Sequence, residues 1–285
     1  MSPTNNDRRF LAYWDSWAGA WRPRPPASPT PEDIGWYQSR IEGAWKETGA
    51  GQFVALLLGV TPQISRLDWP TGTVLVGLDW SAPMLRTVWR DADSAALSQA
   101  VCADWRALPI ASASVDLVLA DGGYTAMGSF DRAQAMNREI RRVLRPGGHY
   151  CVRAFARPQR AETMSEVMHA LTEGGMQNAT LFRWRFAMAL PVRSREGVRI
   201  GAIWDAWCDH AADPQALAAR NGWTGDELAA MENYRDVEAR YYFPSRAELR
   251  ELAGHQFEWL GVEYGGFECG DRFPRIAMRA RSLAR

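Results

Sequence analysis

Net charge is what this sequence most plainly lacks: 33 Lys and Arg balance 33 Asp and Glu over 285 positions. A nucleic-acid partner would call for a basic face, so none is expected. Long apolar runs are missing too. No stretch could span a bilayer, and the opening Met-Ser-Pro-Thr-Asn-Asn-Asp-Arg-Arg has no apolar core of signal-peptide length. A cytoplasmic protein with no membrane partner is therefore expected. Cysteine is scarce: Cys102, Cys151, Cys208 and Cys269 stand far apart without metal-ligand spacing, which suggests buried thiols and no metal site. No internal repeat or low-complexity tract is visible.

Tryptophan is abundant instead, with fourteen copies. One group, Trp14, Trp17 and Trp21 with Tyr13, lies on a helical repeat over residues 5–21. The proline-rich run 22–31 ends that helix, and a second helix follows to about Thr48, with Thr30 a candidate cap. Another group, Trp184, Trp204, Trp207 and Trp223, falls in residues 180–240. That region reads as three aromatic-faced helices, Leu181–Leu190, Val198–Ala211 and Thr224–Arg240.

Between these groups the pattern is alternating strand and helix. Apolar strands at 53–58, 73–78, 97–102, 115–120 and 150–155 are separated by helical or turn segments, and two further strands close the chain at 257–264 and 272–279. Gly59-Val60-Thr61-Pro62 ends the first strand where a nucleotide-binding α/β fold turns into its first helix. The second strand ends in Asp79, about twenty residues on. A carboxylate there can accept from both hydroxyls of a ribose. The competing reading is a solvated strand-end acid or helix cap. Trp80 can pack on the ligand or in the core, and Ser81 is a candidate N-cap for a helix containing Met84. Asp104-Trp105 follows the third strand. An indole can stack on a purine, or simply be buried in a turn. Asp121-Gly122-Gly123-Tyr124 follows the fourth. His149 sits at the far edge of the sheet and reads as structural.

Four of these pieces in order, Val76–Met84, Ala103–Pro109, Val115–Val118 and Glu139–Gly148, resemble the class I S-adenosylmethionine-dependent methyltransferases over roughly residues 50–156. The resemblance implies an α/β fold: a Rossmann-like, seven-stranded, mostly parallel sheet with helices on both faces. It implies S-adenosyl-L-methionine as cofactor, held by Gly59, Thr61, Asp79, Trp80, Met84, Asp104, Trp105 and Asp121, with Asp104 accepting from the adenine amino group. The aromatic lid, neutral charge and lack of a nucleic-acid motif argue for a small-molecule acceptor, and Asp121 or Tyr124 could serve as a base where the nucleophile starts protonated. The chain departs from the family at the first turn: Leu57 takes the place of an acid, and Thr61 and Gln63 stand where glycines are expected. Thr61 could instead offer its hydroxyl.

The organisation expected is a helical arm over residues 1–49, a cofactor-binding core over 50–180, a helical insert over 181–240 and a C-terminal completion of the core over 241–285. Arm and insert would form a lid through Tyr13, Trp14, Trp17 and Trp204. The arm can cover its own site or, in a homodimer, a neighbour's. Two alternatives stand beside methyl transfer: other chemistry on the same cofactor (cyclisation or aminopropyl transfer), and a non-catalytic binding protein whose first turn has decayed.

Overall fold

The computed structural model describes residues 5–19, 22–49, 51–93, 97–193 and 195–282. Trp21, expected within the first helix, lies outside them. In chain order the first elements are α1 (Asn5–Trp17), α2 (Pro31–Thr48), β1 (Val54–Leu58), α3 (Pro62–Ser65), β2 (Val74–Asp79), α4 (Ala82–Val88), β3 (Leu97–Cys102), β4 (Val115–Asp121), α5 (Gly123–Met127), α6 (Phe130–Val143) and β5 (Leu144–Arg153). They are followed by α7 (Met164–Thr172), α8 (Ala179–Ala189), β6 (Val198–Arg199), α9 (Ile200–His210), α10 (Pro214–Asn221), α11 (Gly225–Ala229), β7 (Arg240–Tyr241), α12 (Arg246–Ala253), β8 (Phe257–Glu263) and β9 (Arg275–Ala280).

Seven strands form one sheet in the order β3-β2-β1-β4-β5-β9-β8. The five on the β3 side run parallel, and β9 pairs antiparallel with both β5 and β8. β1 is Val-Ala-Leu-Leu-Leu, with its last four residues buried, as a parallel strand covered on both faces must be. Its side chains divide between the two layers. Leu56 and Leu58 pack with Phe130, Met136 and Ile140 on the α6 side, whereas Ala55 and Leu57 pack with Tyr37, Ile41 and Ile64 on the α2 side. The strand order reverses between β1 and β4. In open α/β sheets the carboxyl ends of the strands at that switch point form the ligand crevice.

The N-terminal segment divides in a way the expected arm did not. α1 crosses the strand tips and meets α4, but α2 packs against β4, β5 and β9 as one of the sheet's covering helices. Its apolar stripe, Trp36, Tyr37, Ile41 and Ala44, has nowhere else to be buried. Only α1 and the joint after it therefore lie over the crevice. The insert also differs from expectation near its end. In place of a helix over Thr224–Arg240 there is α11, a 3-10 turn (Ala230–Tyr234) and irregular chain leading to β7. Thr224 caps α11 reciprocally with Glu227, and Asp236 takes a positive φ of 58° that breaks any continuation.

The joint between α1 and α2 is pinned. Arg153, the last residue of β5, is fully buried and donates to the carbonyls of Pro26 (2.8 Å) and Ala27 (3.5 Å). It is also paired with Asp121 at 2.6 Å and Asp33 at 3.5 Å. Tyr37 of α2 donates to the Ala120 carbonyl at 2.7 Å and accepts from the Arg153 N–H at 3.1 Å. A guanidinium with five donors and no exposure must find partners on every side, and these groups supply them.

The cysteines are not uniformly buried: Cys151 is, but Cys102 and Cys208 are exposed, because Cys102 ends the edge strand β3 and Cys208 lies on the outer face of α9. His149 is partnered by Glu47 at 3.2 Å. No helix among the described residues is long and apolar enough to cross a membrane.

Candidate functional site

A cavity of about 760 Å³ opens at the carboxyl ends of β1, β2 and β4, beneath α1 and beside the insert. That volume lies within the ~300–1,000 Å³ of small-molecule sites. Its floor is made by strand tips and the turns after them: Gly59 and Thr61, Asp79 and Trp80, Asp104 and Trp105, Asp121 and Gly122. α4 adds Met84, and α5 adds Thr125. The eight residues expected to hold the cofactor are thus brought to one surface.

The first turn is compact without its glycines. Gly59 has φ +99°, a conformation that disfavours any side chain, and its N–H donates to the Leu78 carbonyl at 2.8 Å. A Cβ there would lie 3.8 Å from the Trp105 ring, so this glycine brings the backbone up to the indole. Thr61 precedes α3, which Pro62 starts, and its hydroxyl makes no capping bond. Leu57 is wholly buried against α2, on the layer away from α6, so nothing acidic approaches the cavity from that position.

Asp79 combines both readings open to it. One oxygen accepts from the Ser81 N–H at 2.8 Å, and the carboxylate lines the cavity. Burial raises its pKa to about 7, helped by the nearby Asp15 charge and opposed by the Ser81 and Trp80 N–H groups. Ser81 caps α4 through the Met84 N–H and donates to Asp15 at 2.5 Å, tying α1 to the same corner.

Trp105 is fixed by its Nε1–H, which donates to the Leu78 carbonyl at 2.7 Å. Asp104 is more occupied than expected. Arg106 engages both its oxygens, at 3.0 Å through Nε and 2.6 Å through Nη2, and the Arg106 N–H adds a third donor at 2.9 Å. Arg106 in turn lies over the Trp80 ring (5.1 Å) and pairs with Asp7 of α1 at 3.0 Å. The buried Asp7 also binds Arg132 of α6 at 2.5 Å, so α1 is latched at this end by two guanidinium groups.

Of the two residues expected to act as a base, neither is free to do so. Asp121 reaches the cavity, but both its oxygens accept from Arg153, at 2.6 and 3.1 Å. Burial raises its pKa and the Arg153 charge opposes that shift. Tyr124 points away from the cavity into the α6 layer. Its hydroxyl accepts from Asn137 at 3.2 Å, and burial pushes its pKa up to about 12. α5 begins directly after β4, and its periodicity sends Tyr124 inward and Thr125 toward the crevice. Thr125 was missed for want of any motif. Its Oγ1 is buried in the cavity wall without a hydrogen-bond partner.

The four residues expected to form a lid fall in different places. Trp14 and Trp17 line the cavity, with Phe10 beside them. Tyr13 stands behind the wall, its hydroxyl 2.5 Å from that of Tyr241, which does line it. Trp204 is elsewhere, under Arg235 at 4.6 Å on the outer side of the insert. α8 contributes Thr180, Arg183 and Trp184 instead. No His, Lys or Cys is among the residues lining the cavity. Among the described residues, no group of three His, Cys, Asp or Glu could hold a metal ion.

Residues 56–152 match the family model described as a methyltransferase domain. No curated protein matches the chain. Solved structures with a similar course include a chain from Rhodobacter sphaeroides assigned as a Zn-dependent alcohol dehydrogenase, at 13% identity, 96% coverage of this chain, 98% of that one and a TM-score of 0.57. Others are the N-methyltransferase NodS of Bradyrhizobium japonicum with S-adenosyl-L-homocysteine (8%, 97% and 100% coverage, 0.49) and the magnesium protoporphyrin IX methyltransferase of Synechocystis with S-adenosylmethionine (10%, 99% and 100%, 0.49). At such identities the first likeness establishes architecture alone. The matched region coincides with β1 to β5 of the seven-stranded sheet, so this part of the chain is similar to a methyltransferase domain in both sequence and strand order.

Proposed function

We propose that this chain methylates a small molecule, binding donor and acceptor together in the 760 Å³ cavity. The observation that carries the reading is Asp79: a strand-tip carboxylate that lines the cavity, with burial resisting its ionisation. Such a group is costly unless hydroxyl donors reach it, and a ribose brings two. The orphaned Thr125 hydroxyl makes the same demand nearer β4. The residues therefore fit the cofactor.

In this reading Asp79 holds the ribose, while Trp105 and Trp80 cover the adenine, with Met84 beneath. Asp104 orients Arg106 against Trp80 and has little acceptor capacity left for the adenine amino group. Thr61 and Asp121 face the methionine end, Asp121 fixed by Arg153. When bound, S-adenosylmethionine supplies a methyl group already activated by its sulfonium. The chain's part is then to align the acceptor and exclude water, which Trp14, Trp17, Phe155 and Trp184 do by walling the cavity with rings. In this reading the floor carboxylates are occupied, Asp79 by the ribose, Asp104 by Arg106 and Asp121 by Arg153, which favours an acceptor whose nucleophile is unprotonated at neutral pH.

Incubation with S-adenosylmethionine and an acceptor library, followed by mass spectrometry, tests this. S-adenosylhomocysteine with an acceptor gaining one methyl is expected. Methylthioadenosine as the product would move the chain to cyclisation or aminopropyl chemistry, and no product of either kind would leave it a binding protein.

A further inference from the structure

α8 carries two arginines, and they face different ways. Arg185 is consumed by structure: it pairs with Glu162 at 2.5 Å, and Glu162 pairs again with Arg272. Arg183 lines the cavity. Its only hydrogen bond among the described residues runs from Nη2 to Thr180 Oγ1, one turn back, at 3.0 Å, and no carboxylate there comes within ion-pair distance. None of its nitrogens is buried without a partner, so its remaining donors are open to a ligand.

The surroundings suit a flat ligand. Trp184, the next residue, stands edge-on to Phe155 at 4.9 Å and tilted on Tyr241 at 5.3 Å, and all three rings line the cavity. Glu227, a cavity carboxylate on which the Arg183 charge acts, is spoken for: Thr224 N–H and hydroxyl bind one oxygen and Arg24 the other. Arg183 also acts electrostatically on Tyr234 and Tyr241, which places it inside this aromatic wall. A guanidinium fork beside ring faces is matched by a carboxylate on a planar apolar body.

We infer that Arg183 is a specificity residue for the acceptor, which is a flat, apolar molecule bearing a carboxylate. This rests on the methyltransferase reading above and names the substrate class for it.

The test uses the full chain and two matched probes, cinnamate and its neutral amide cinnamamide. Each is titrated by calorimetry with and without saturating S-adenosylhomocysteine. The carboxylate is expected to bind at least ~10-fold tighter than the amide, the scale of a charge-assisted hydrogen bond. Arg183→Met should remove that preference while leaving amide affinity, S-adenosylhomocysteine affinity and melting temperature unchanged. Arg183→Lys should restore part of it. Equal binding of the two probes, binding of neither at millimolar concentration, or a preference that survives Arg183→Met overturns the inference. Loss of S-adenosylhomocysteine affinity in Arg183→Met would assign the guanidinium to the cofactor's carboxylate and also overturn it. If the wild-type chain fails to bind S-adenosylhomocysteine, the cofactor reading falls. The probe pair titrated alone then decides whether Arg183 is an anion seat.

Discussion

Cofactor affinity should depend on pH through Asp79. Its carboxyl carries a pKa of about 7 instead of 3.8, with burial as the main cause. Only the ionised form accepts from both ribose hydroxyls without surrendering an oxygen to its own proton. The competent fraction of the free protein is then ~0.9 at pH 8 and ~0.1 at pH 6, and apparent affinity scales with that fraction. Titration with S-adenosylhomocysteine should therefore weaken about tenfold on going from pH 8 to pH 6, or ~1.4 kcal/mol. Binding at pH 7 should release about half a proton, measurable in buffers of different ionisation enthalpy. Asp79→Asn removes the titrating group. Its affinity should fall ~10- to 100-fold at pH 8, the cost of losing charge-assisted bonds, and should be nearly flat in pH. A slope that persists in Asp79→Asn would come from Asp121, whose pKa burial also raises, or from the ligand's own amine. A wild-type profile that is flat, or that strengthens toward pH 6, refutes the reasoning.

The same group makes a stability prediction. A carboxyl with a raised pKa favours the folded state below its unfolded pKa, and this contribution is lost as pH rises through about 7. The melting temperature of wild type relative to Asp79→Asn should fall between pH 4 and pH 7.5 in thermal scans. Tyr124→Phe should leave the rate of S-adenosylhomocysteine formation within about twofold, since its hydroxyl meets only Asn137 and its Tyr150 neighbour; a loss near the ~100-fold expected of a general base would reinstate it. Arg153→Met leaves the buried Asp121 without its cation and Asp33 with Arg275 alone, and should cost about 3–5 kcal/mol in urea unfolding. Gly77→Ala should cost about 1–3 kcal/mol by the same measurement, because its Cβ would stand 2.2 Å from the Trp89 ring.

Much of the core was legible because it rests on local patterns. Runs such as Val115–Ala120 could only be buried parallel strands, and the Asp79 corner declared itself through spacing and the Ser81 cap. What was not legible depended on which face a residue presents after a turn. Tyr124 and Thr125 are neighbours, and only the start of α5 at Gly123 decides which of them reaches the crevice. The same holds for Arg183 and Arg185 on α8. The role of α2 was obscured by the proline-rich joint before it, which reads as a linker yet is held by a buried arginine from β5. One signal of that pin was present: a charged residue in the otherwise apolar Tyr-Cys-Val-Arg-Ala-Phe strand, which could stay only if paired.

In the proposed reading, the crevice over β1, β2 and β4 holds the cofactor by Asp79 and Trp105. A crystal structure of the chain grown with S-adenosylhomocysteine tests it most directly. Both ribose hydroxyls are expected on the Asp79 carboxylate, with the adenine against the Trp105 ring. An adenosine bound elsewhere, or a crevice filled by Trp14 and Trp17 with no ligand at saturating concentration, would contradict it.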